Sequence, residues 1–474
     1  MELIGRRSET EELASCLTSN KPEFVAIYGR RRVGKTFLVR ETFRERFAFY
    51  LTGSAKADTK TQLENFAAAL REHGGNEQAV PGDWFEAFRM LKEYLAGSTG
   101  AGKKIIFLDE MPWLDTHKSR FVSALEYFWN SWASDRQDIL LVVCGSAASW
   151  MVSKVFRDRG GLHNRVTRRI RLEPFTLAEC EAYYASKGIV MNRREQLESY
   201  MIFGGIPFYL SLLDKRFGLA QNVGRLCFSG NGILRDEFFS LYDSLFLHSE
   251  KHIAIVETLS RKNKGLARQE IVRIAGIANG GGLTRVLHEL EQSGFIRSYK
   301  PFSRKERGTL YQLVDFFTLF YFNFIRKSPP DDADYWLKHL AGGGHNAWAG
   351  NSFEQVCQYH LRQILRKLGI SGIIVYASSW RSEKSDPGAQ IDLVLDRGDN
   401  VVNLCEMKYA SEEYVITKSD DKNLRNKRAA FLAETKTRKA VHLTMVTTYG
   451  VVRNEYAGNI QSEITAEDLF REEW

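Results

Sequence analysis

The sequence has few cysteines, few prolines and no long apolar run. Its 474 residues include six cysteines and nine prolines. The cysteines form no CxxC pair, so we expect neither a disulfide framework nor a structural zinc site, and this pattern is typical of a reducing cytoplasm. Every segment of about eighteen residues contains charged residues, so none has the pattern of a membrane span. The first residues also lack the apolar core of a signal peptide. We therefore expect a cytoplasmic protein without a membrane partner.

The composition predicts several folded domains. With 44% hydrophobic and 26% charged residues, the chain excludes a wholly disordered class, and its length favours about three domains. The formal net charge of +8 is compatible with an acidic polymer as partner. Basic cytosolic proteins that bind no nucleic acid are also common, so charge alone does not decide the partner.

Residues 1–155 alternate short apolar segments with segments of helical periodicity. The predicted strands are residues 24–28, 47–51, 104–108 and 139–144. Apolar strands that alternate with amphipathic helices are typical of an α/β fold in which helices cover a parallel sheet. Helical patterns continue from residue 172 to about 245 and include residues 176–187 and 194–202.

A phosphate-binding loop follows the first predicted strand. The pattern GxxxxGK[ST] is matched by Gly29-Arg30-Arg31-Arg32-Val33-Gly34-Lys35-Thr36. Its glycines let the backbone curl so that successive N–H groups point at phosphate oxygens. Lys35 then reaches the outer phosphates and Thr36 is a magnesium ligand. The sequence therefore predicts a site for ATP and Mg²⁺.

Acidic and small polar residues end the next predicted strands. Asp109 and Glu110 follow the apolar segment 105–108. In phosphate-loop proteins one such carboxylate holds the metal through water, and a second polarises the attacking water. We therefore expect Asp109 to be a metal residue and Glu110 to be catalytic. Ser146, after the following strand, is expected either to sense the terminal phosphate or to cap a helix.

The order of these motifs resembles a known family. The matching segments are residues 4–9, 29–36, 107–111, 144–146, 164–165, 173–175 and 203–207. Together they resemble the archaeal-type ATPases on the AAA+/STAND branch of phosphate-loop proteins, over about residues 1–330. The resemblance implies that Gly5 and Arg6 lie near the adenine, that Arg165 meets the terminal phosphate, and that residues 205–207 close the site from a helical lid.

One departure from the family pattern concerns this arginine. The family usually has Gly directly before it, whereas Asn164 precedes Arg165 and the pair Gly160-Gly161 lies upstream. Arg168 is therefore a competing candidate, and a solvated basic stretch is the alternative. The candidate nucleotide-binding residues are Gly5, Arg6, Gly29, Arg32, Val33, Gly34, Lys35, Thr36, Phe37, Ser146 and Pro207.

Three helical patterns and two short strands follow. They are residues 251–260, 266–275, 283–292, 295–299 and 310–313. This order is typical of a winged helix, in which Thr284, Arg285 and His288 would face the major groove. Arg304, Lys305 and Arg307, in the turn between the strands, would contact phosphates. The alternative is a module that only packs between domains. The aromatic-rich segment 311–322 predicts a core helix rather than a base-stacking surface.

The last part of the chain combines carboxylates with a lysine on predicted strands. Asp392 alternates with apolar neighbours, and Glu406 and Lys408 emerge on one strand face, about 7 Å apart. If the two strands pair, these groups converge, and Glu354 in the predicted helix 352–368 adds a third carboxylate. Carboxylates are suited to Mg²⁺ or Mn²⁺, and Lys408 would orient a bound water or stabilise charge on a phosphate. The alternative is a solvated strand face.

This order of helix Glu, strand Asp and Glu-x-Lys resembles the PD-(D/E)xK nuclease superfamily. It resembles in particular the nuclease-like domain that often follows these ATPases, with a restriction-endonuclease-like α/β fold. The resemblance implies that Glu354, Asp392, Glu406 and Lys408 are catalytic and that Asp392 and Glu406 bind the metal.

The expected domains follow from these patterns. They are an AAA+-like ATPase core (1–171), a helical lid (172–247), a winged helix (248–328), a linker (329–344) and a nuclease-like domain (345–474). The linker is expected because Pro329-Pro330 cannot continue a helix.

Two functional hypotheses remain. In the first, ATP controls DNA binding and metal-dependent cleavage of double-stranded DNA. In the second, the protein is a STAND-like regulatory ATPase switch whose C-terminal modules only bind nucleic acid or protein. A homo-oligomer is needed if Arg165 acts on a neighbouring subunit's ATP, whereas a monomer suffices if it acts within its own chain.

Overall fold

The computed structural model describes residues 3–44, 46–75, 79–98, 102–156, 162, 164–246, 248–302, 308–340, 342–382 and 388–472. The chain divides into two units, each with its own internal packing. The N-terminal unit consists of Met1–Pro174, Ser240–Ser249 and Arg285–Gly294. The C-terminal unit consists of Phe175–Phe239, Glu250–Thr284 and Phe295–Trp474.

The N-terminal unit is built on a parallel sheet. Its strands are β1 (Glu23–Tyr28), β2 (Phe49–Thr52), β3 (Lys104–Asp109), β4 (Ile139–Gly145) and β5 (Arg168–Arg171). Its helices are α1 (Arg7–Leu17), α2 (Lys35–Phe43), α3 (Thr59–Glu72), α4 (Trp84–Gly97), α5 (Phe121–Ser131) and α6 (Ala148–Trp150). The strands pair in the order β2-β3-β4-β1-β5, all parallel. The structure therefore confirms the expected α/β class with a parallel sheet.

The apolar character of β3 and β4 follows from their central place in this sheet. Both strands are buried along their whole length, as expected for parallel strands that are covered on both faces. Against one face pack the aromatic side chains of α4 and α5. Trp84 is fully buried there, and its ring meets Phe121 edge to face, with a centroid distance of 4.8 Å.

The remaining helices and strands follow in chain order. The helices are α7 (Leu177–Lys187), α8 (Arg193–Phe203), α9 (Pro207–Leu210), α10 (Leu219–Val223), α11 (Glu237–Leu245), α12 (Glu250–Ser260), α13 (Arg268–Ala275), α14 (Gly281–Gln292), α15 (Phe316–Asn323), α16 (Tyr335–His339), α17 (Gly343–Tyr359), α18 (Leu361–Lys367), α19 (Lys418–Thr435) and α20 (Ala466–Leu469). The strands are β6 (Leu266–Ala267), β7 (Ile296–Tyr299), β8 (Leu310–Leu313), β9 (Val375–Arg381), β10 (Gln390–Arg397), β11 (Val401–Lys408), β12 (Ala440–Thr447) and β13 (Ser462–Thr465).

A small antiparallel sheet lies in the region expected to be a winged helix. Its order is β6-β8-β7, and β6 was not expected, because residues 266–275 have the periodicity of one helix. Instead, Leu266 and Ala267 pair with β8, and α13 begins only at Arg268. The expected wing residues Arg304, Lys305 and Arg307 lie outside the described residues. The aromatic helix α15 is buried, as expected of a core helix, but it begins only at Phe316, because Tyr311, Gln312 and Leu313 belong to β8.

The C-terminal sheet has the order β13-β12-β11-β10-β9. Strands β9, β10 and β11 are antiparallel neighbours, whereas β11, β12 and β13 are parallel. Helix α19 makes the connection between the parallel pair β11 and β12. The pairing of β10 with β11, on which convergence of the carboxylates depends, is therefore present.

The segment 329–344 differs from the expected linker. It contains α16, and α17 already begins at Gly343. The reason is Trp336, which is fully buried and packs edge to face against Phe324 and Trp348. The prolines do end the preceding helical segment, but aromatic packing then orders the chain beyond them. The other domain boundaries remain predictions.

We expect Trp84→Ala to lower the free energy of unfolding of the N-terminal unit by about 3–5 kcal/mol, because the lost ring leaves a cavity in a fully buried site. Tyr127→Ala, at a side chain that is 65% exposed in the same unit, should change it by no more than about 0.5 kcal/mol. Urea unfolding followed by intrinsic fluorescence and circular dichroism measures both. Equal effects of the two substitutions would contradict the packing described.

Candidate functional site

The phosphate loop joins β1 to α2 through two glycines with positive φ. Gly29 has φ +144°, and a Cβ at this position would lie 2.3 Å from the carbonyl oxygen of Leu172. Gly34 has φ +91° and directly precedes Lys35, the first residue of α2. Only glycine adopts both conformations without strain. The loop therefore curls between the carboxyl end of β1 and the amino end of a helix, where backbone N–H groups favour an anion.

Lys35 is held inside the curl of this loop. Its ammonium donates hydrogen bonds to the carbonyl oxygens of Gly29, at 3.2 Å, and Arg30, at 2.9 Å. Burial lowers the pKa of Lys35, whereas the nearby carboxylates of Glu110 and Asp109 act in the opposite direction. A buried ammonium surrounded by carbonyl oxygens has a strong need for an anionic partner, which a phosphate group would meet.

Thr36 and Asp109 form a pair of hard oxygen donors beside Lys35. The hydroxyl of Thr36 donates a hydrogen bond of 2.8 Å to Oδ2 of Asp109. Burial raises the pKa of the Asp109 carboxyl to about 6, and the hydrogen bond from Thr36 opposes this shift. A hydroxyl and a carboxylate side by side at the end of β3 match the oxygen ligands that Mg²⁺ prefers.

Glu110 is oriented by Ser146. Glu110 lies in the left-handed region with φ +46°, where it turns the chain away from β3. Its carboxylate accepts a hydrogen bond from the Ser146 amide at 3.2 Å and another from the Ser146 hydroxyl. Ser146 makes no side-chain cap on α6, which begins after Ala147. Here Ser146 positions Glu110, an arrangement that neither of the two expected roles described.

The remaining nucleotide-site candidates are spread over both units. Arg6 is buried and donates a hydrogen bond of 3.4 Å to the carbonyl oxygen of Val33, so the segment with Gly5 lies against the loop. Arg32 has φ +73° within the loop, and Phe37 is half-buried in the first turn of α2. Pro207 begins α9 in the C-terminal unit, and its expected contact with nucleotide remains a prediction.

Comparison with known proteins agrees with this geometry. Residues 3–213 match the family described as an ATPase domain predominantly from Archaea. The chain carries a P-loop ATPase domain. An uncharacterized protein of Methanocaldococcus jannaschii is 25% identical over 413 residues, which cover 86% of this chain and 87% of that protein.

Two solved structures are similar to the chain. The Walker-type ATPase of Pyrococcus abyssi has a TM-score of 0.49 at 17% identity, covering 68% of this chain and 96% of that one. The ORC2 protein of Aeropyrum pernix, solved as ADPNP-ADP complexes, has a TM-score of 0.40 at 13% identity, covering 76% and 96%.

Arg165 precedes β5 by three residues, and β5 begins beside the early part of β1, away from the phosphate loop. Arg168 pairs with Val25 at the start of β5, and the Thr167 amide donates to the carbonyl oxygen of Phe24. The loop begins five residues beyond Phe24, a distance of about 17 Å along β1. The backbone of Arg165 therefore lies well away from the phosphate site of its own chain, and its side chain is exposed. Arg168 lies 3.9 Å from Glu12.

The C-terminal unit brings Glu354, Asp392, Glu406 and Lys408 together. Leu393 pairs with Cys405, so the antiparallel register sets Asp392 opposite Glu406. The ammonium of Lys408 lies 3.0 Å from Oε1 of Glu406, in agreement with the expected shared strand face. Burial and the neighbouring Asp392 carboxylate raise the pKa of Glu354 to about 7. The four side chains thus share one electrostatic environment, while their roles remain predictions.

Two further lysines enter this cluster, and sequence analysis missed both. Lys264, in the turn before β6, contacts Oε2 of Glu354 and lies 2.9 Å from Oδ1 of Asp392. Lys427, on α19, donates a hydrogen bond of 2.6 Å to Oε2 of Glu406. Burial opposes the charged form of Lys264, but the two carboxylates raise its pKa above its ordinary value. Neither lysine belongs to a motif, and only the tertiary fold brings them to the carboxylates.

In the described part of the chain, no group of three or more His, Cys, Asp or Glu side chains has a geometry that could hold a metal ion. At the C-terminal cluster, ammonium groups lie against all three carboxylates. Among the described residues, no helix combines the length and the apolar character needed to cross a bilayer.

We expect Glu110→Gln to bind ATP normally but to hydrolyse it about a hundredfold to ten-thousandfold more slowly, because the amide cannot accept a proton from the attacking water. Single-turnover hydrolysis of radiolabelled ATP and fluorescent-nucleotide binding separate the two effects. Lys35→Ala should instead lose binding. Unchanged turnover in Glu110→Gln would contradict the assignment of Glu110.

The position of Arg165 predicts that any contact with ATP occurs in a neighbouring subunit. Arg165→Ala and Lys35→Ala should each lose hydrolysis, and their mixture should regain part of it, because a mixed interface combines an intact loop with an intact arginine. Arg168→Ala is the matched control and should hydrolyse normally. A mixture no more active than the sum of its components would rule out action between subunits.

Proposed function

We propose that the ATPase domain couples its nucleotide state to DNA binding and to metal-dependent cleavage of double-stranded DNA by the C-terminal sheet. The observation that carries this proposal is the convergence of three carboxylates and Lys408 where β10 and β11 pair. Paired strands bring side chains on the same face of the sheet close together. Several buried carboxylates in one place lower the stability of the fold unless cations compensate their charge. Such clusters are functional-site candidates for that reason.

The cluster has the donor chemistry for a divalent metal. Asp392 and Glu406 face each other across the β10–β11 pair and would hold Mg²⁺ or Mn²⁺, and Glu354 on α17 would add a third oxygen donor. The Lys264 ammonium between Glu354 and Asp392 supports this fit, because a cation is already accommodated there. A metal at this position would lower the pKa of a bound water.

The side chains would divide the chemistry of phosphodiester cleavage between them. Lys408, 3.0 Å from Glu406, would orient the attacking water and stabilise negative charge on the scissile phosphate. Lys427, held at 2.6 Å on the other oxygen of Glu406, would orient this carboxylate. Both ammonium groups also favour approach of an anionic nucleic acid.

Binding of DNA is supported by the order of elements α12, β6, α13, α14, β7 and β8, which is that of a winged helix. On α14, Thr284 and Arg285 are exposed and His288 is half-buried, so this face is available for base or phosphate contacts. Nucleotide turnover in a homo-oligomer would follow if Arg165 completes a neighbour's site.

A second candidate is a STAND-like regulatory switch without cleavage. The observation in its favour is that ammonium groups occupy the positions around all three carboxylates. In that case the same modules would bind nucleic acid or a protein partner and release it according to the nucleotide state.

Plasmid cleavage with Mg²⁺ or Mn²⁺, with and without ATP, tests the proposal. We expect wild type to cut the plasmid. Lys408→Ala should cut at least about a hundredfold more slowly, because stabilisation of the negative charge is lost. Lys35→Ala should cut, but its rate should not respond to ATP. Lys439→Ala is the matched control, because this lysine pairs with Asp396 in the same sheet, away from the cluster.

Wild type that never cuts, with either metal and with or without ATP, would leave the regulatory switch as the better account. If Lys35→Ala cuts DNA and its cleavage rate responds to ATP as that of wild type does, control by the ATPase domain is contradicted instead.

A further inference from the structure

Lys264 contacts two of the three carboxylates of the cluster, although it comes from a distant part of the sequence. It lies in the turn between α12 and β6, and its ammonium contacts Glu354 on α17 and Asp392 on β10. The two carboxylate side chains are 19% and 10% exposed, so the contact is largely shielded from solvent. A shielded ion pair of this kind is much less screened than a surface pair.

The turn that carries Lys264 is held by the small antiparallel sheet. The hydroxyl of Tyr299 donates a hydrogen bond of 2.5 Å to the carbonyl oxygen of Lys264. The side-chain amide of Gln312 donates to the carbonyl oxygen of Asn263. Gly265 has φ +79°, and a Cβ there would lie 2.7 Å from the carbonyl oxygen of Tyr311. The position of the ammonium is therefore set by the β6–β8–β7 module.

The ammonium and a divalent cation would compete for the same oxygens. Glu354 and Asp392 each place a carboxylate oxygen against the same point, where a positive charge is favoured. Lys264 provides this charge in the structure. A metal that uses Oδ1 of Asp392 must displace the ammonium, because two cations at one pair of oxygens repel each other.

We propose that Lys264 is an internal counter-ion that holds the metal position between Glu354 and Asp392, so that a divalent cation binds there only when the β6–β8–β7 module withdraws it. This inference rests on the proposed metal-dependent function of the same cluster. It makes the β6–β8–β7 module a gate for the site, because a movement of the turn that carries Lys264 uncovers the two carboxyl groups. Cleavage then depends on both a metal and the position of this module.

Binding of Mn²⁺ to the nucleotide-free, full-length protein tests this proposal. Free Mn²⁺ is measured by electron paramagnetic resonance for wild type, Lys264→Met, Lys262→Met and the double variant Lys264→Met/Asp392→Asn. Lys262 is the matched control, because it lies in the same turn but pairs with Glu270 at 3.0 Å. Lys264→Gln, which keeps a hydrogen-bond donor, serves as a second variant if loss of the ion pair impairs folding.

We expect Lys264→Met to bind Mn²⁺ about tenfold or more tightly than wild type, because the competing charge is removed. Lys262→Met should match wild type, and the double variant should lose the gain. Mn²⁺ should also raise the Tm of Lys264→Met more than that of wild type, since it binds only the folded state.

Two results would overturn the proposal, and they are distinguishable. Equal Mn²⁺ affinity in wild type and Lys264→Met, with binding lost in the double variant, would refute competition by Lys264 while leaving the metal site in place. If no variant has Asp392-dependent Mn²⁺ binding, the metal site itself fails, and the proposed cleavage fails with it.

Discussion

A buried charge requires a compensating partner, and this constraint shapes both sites of the molecule. In the ATPase domain, the ammonium of Lys35 is compensated by two backbone carbonyl oxygens of the phosphate loop, those of Gly29 and Arg30. In the C-terminal unit the partners of Glu354 and Asp392 are supplied by one ammonium, that of Lys264. Each arrangement compensates the buried charge in part, and a phosphate or a metal would replace it with a stronger interaction.

Sheet topology decides where these charges meet. In the parallel sheet of the ATPase domain, β1, β3 and β4 end at one edge and deliver Lys35, Asp109 and Ser146 there. In the C-terminal sheet an antiparallel pair performs the same task, since the register of β10 and β11 sets Asp392 opposite Glu406. The helices then fix the remaining groups, with Glu354 on α17 and Lys427 on α19. Topology also separates groups, because β5 begins at Arg168, which pairs with Val25 near the start of β1 and away from the phosphate loop.

Much of this could be predicted from the sequence where the pattern is local. The four apolar segments of the ATPase sheet are strands within two residues of their expected bounds, because buried parallel strands are nearly continuous apolar runs. The pair Glu406 and Lys408 was expected on one face because strand side chains alternate. Short amphipathic segments such as Leu266–Ala267 were ambiguous, since two residues define no period.

Contacts between distant segments could not be predicted in this way. Lys264 and Asp392 are 128 residues apart, and nothing near Lys264 in the sequence distinguishes it from other surface lysines. The bond from Ser146 to Glu110 depends on the left-handed backbone of Glu110, which no propensity favours for a glutamate. Trp336 likewise orders a segment whose prolines and glycines predict a linker. In each case tertiary packing overrides the local signal.

The most direct measurement of the central claim is anomalous diffraction at the manganese edge from crystals of Lys264→Met soaked with Mn²⁺ and a non-hydrolysable ATP analogue. One peak is expected beside Thr36 and Asp109 and a second between Glu354 and Asp392, the second being absent from wild-type crystals treated in the same way. A single peak at the nucleotide, with the three carboxylates empty in both proteins, would contradict it.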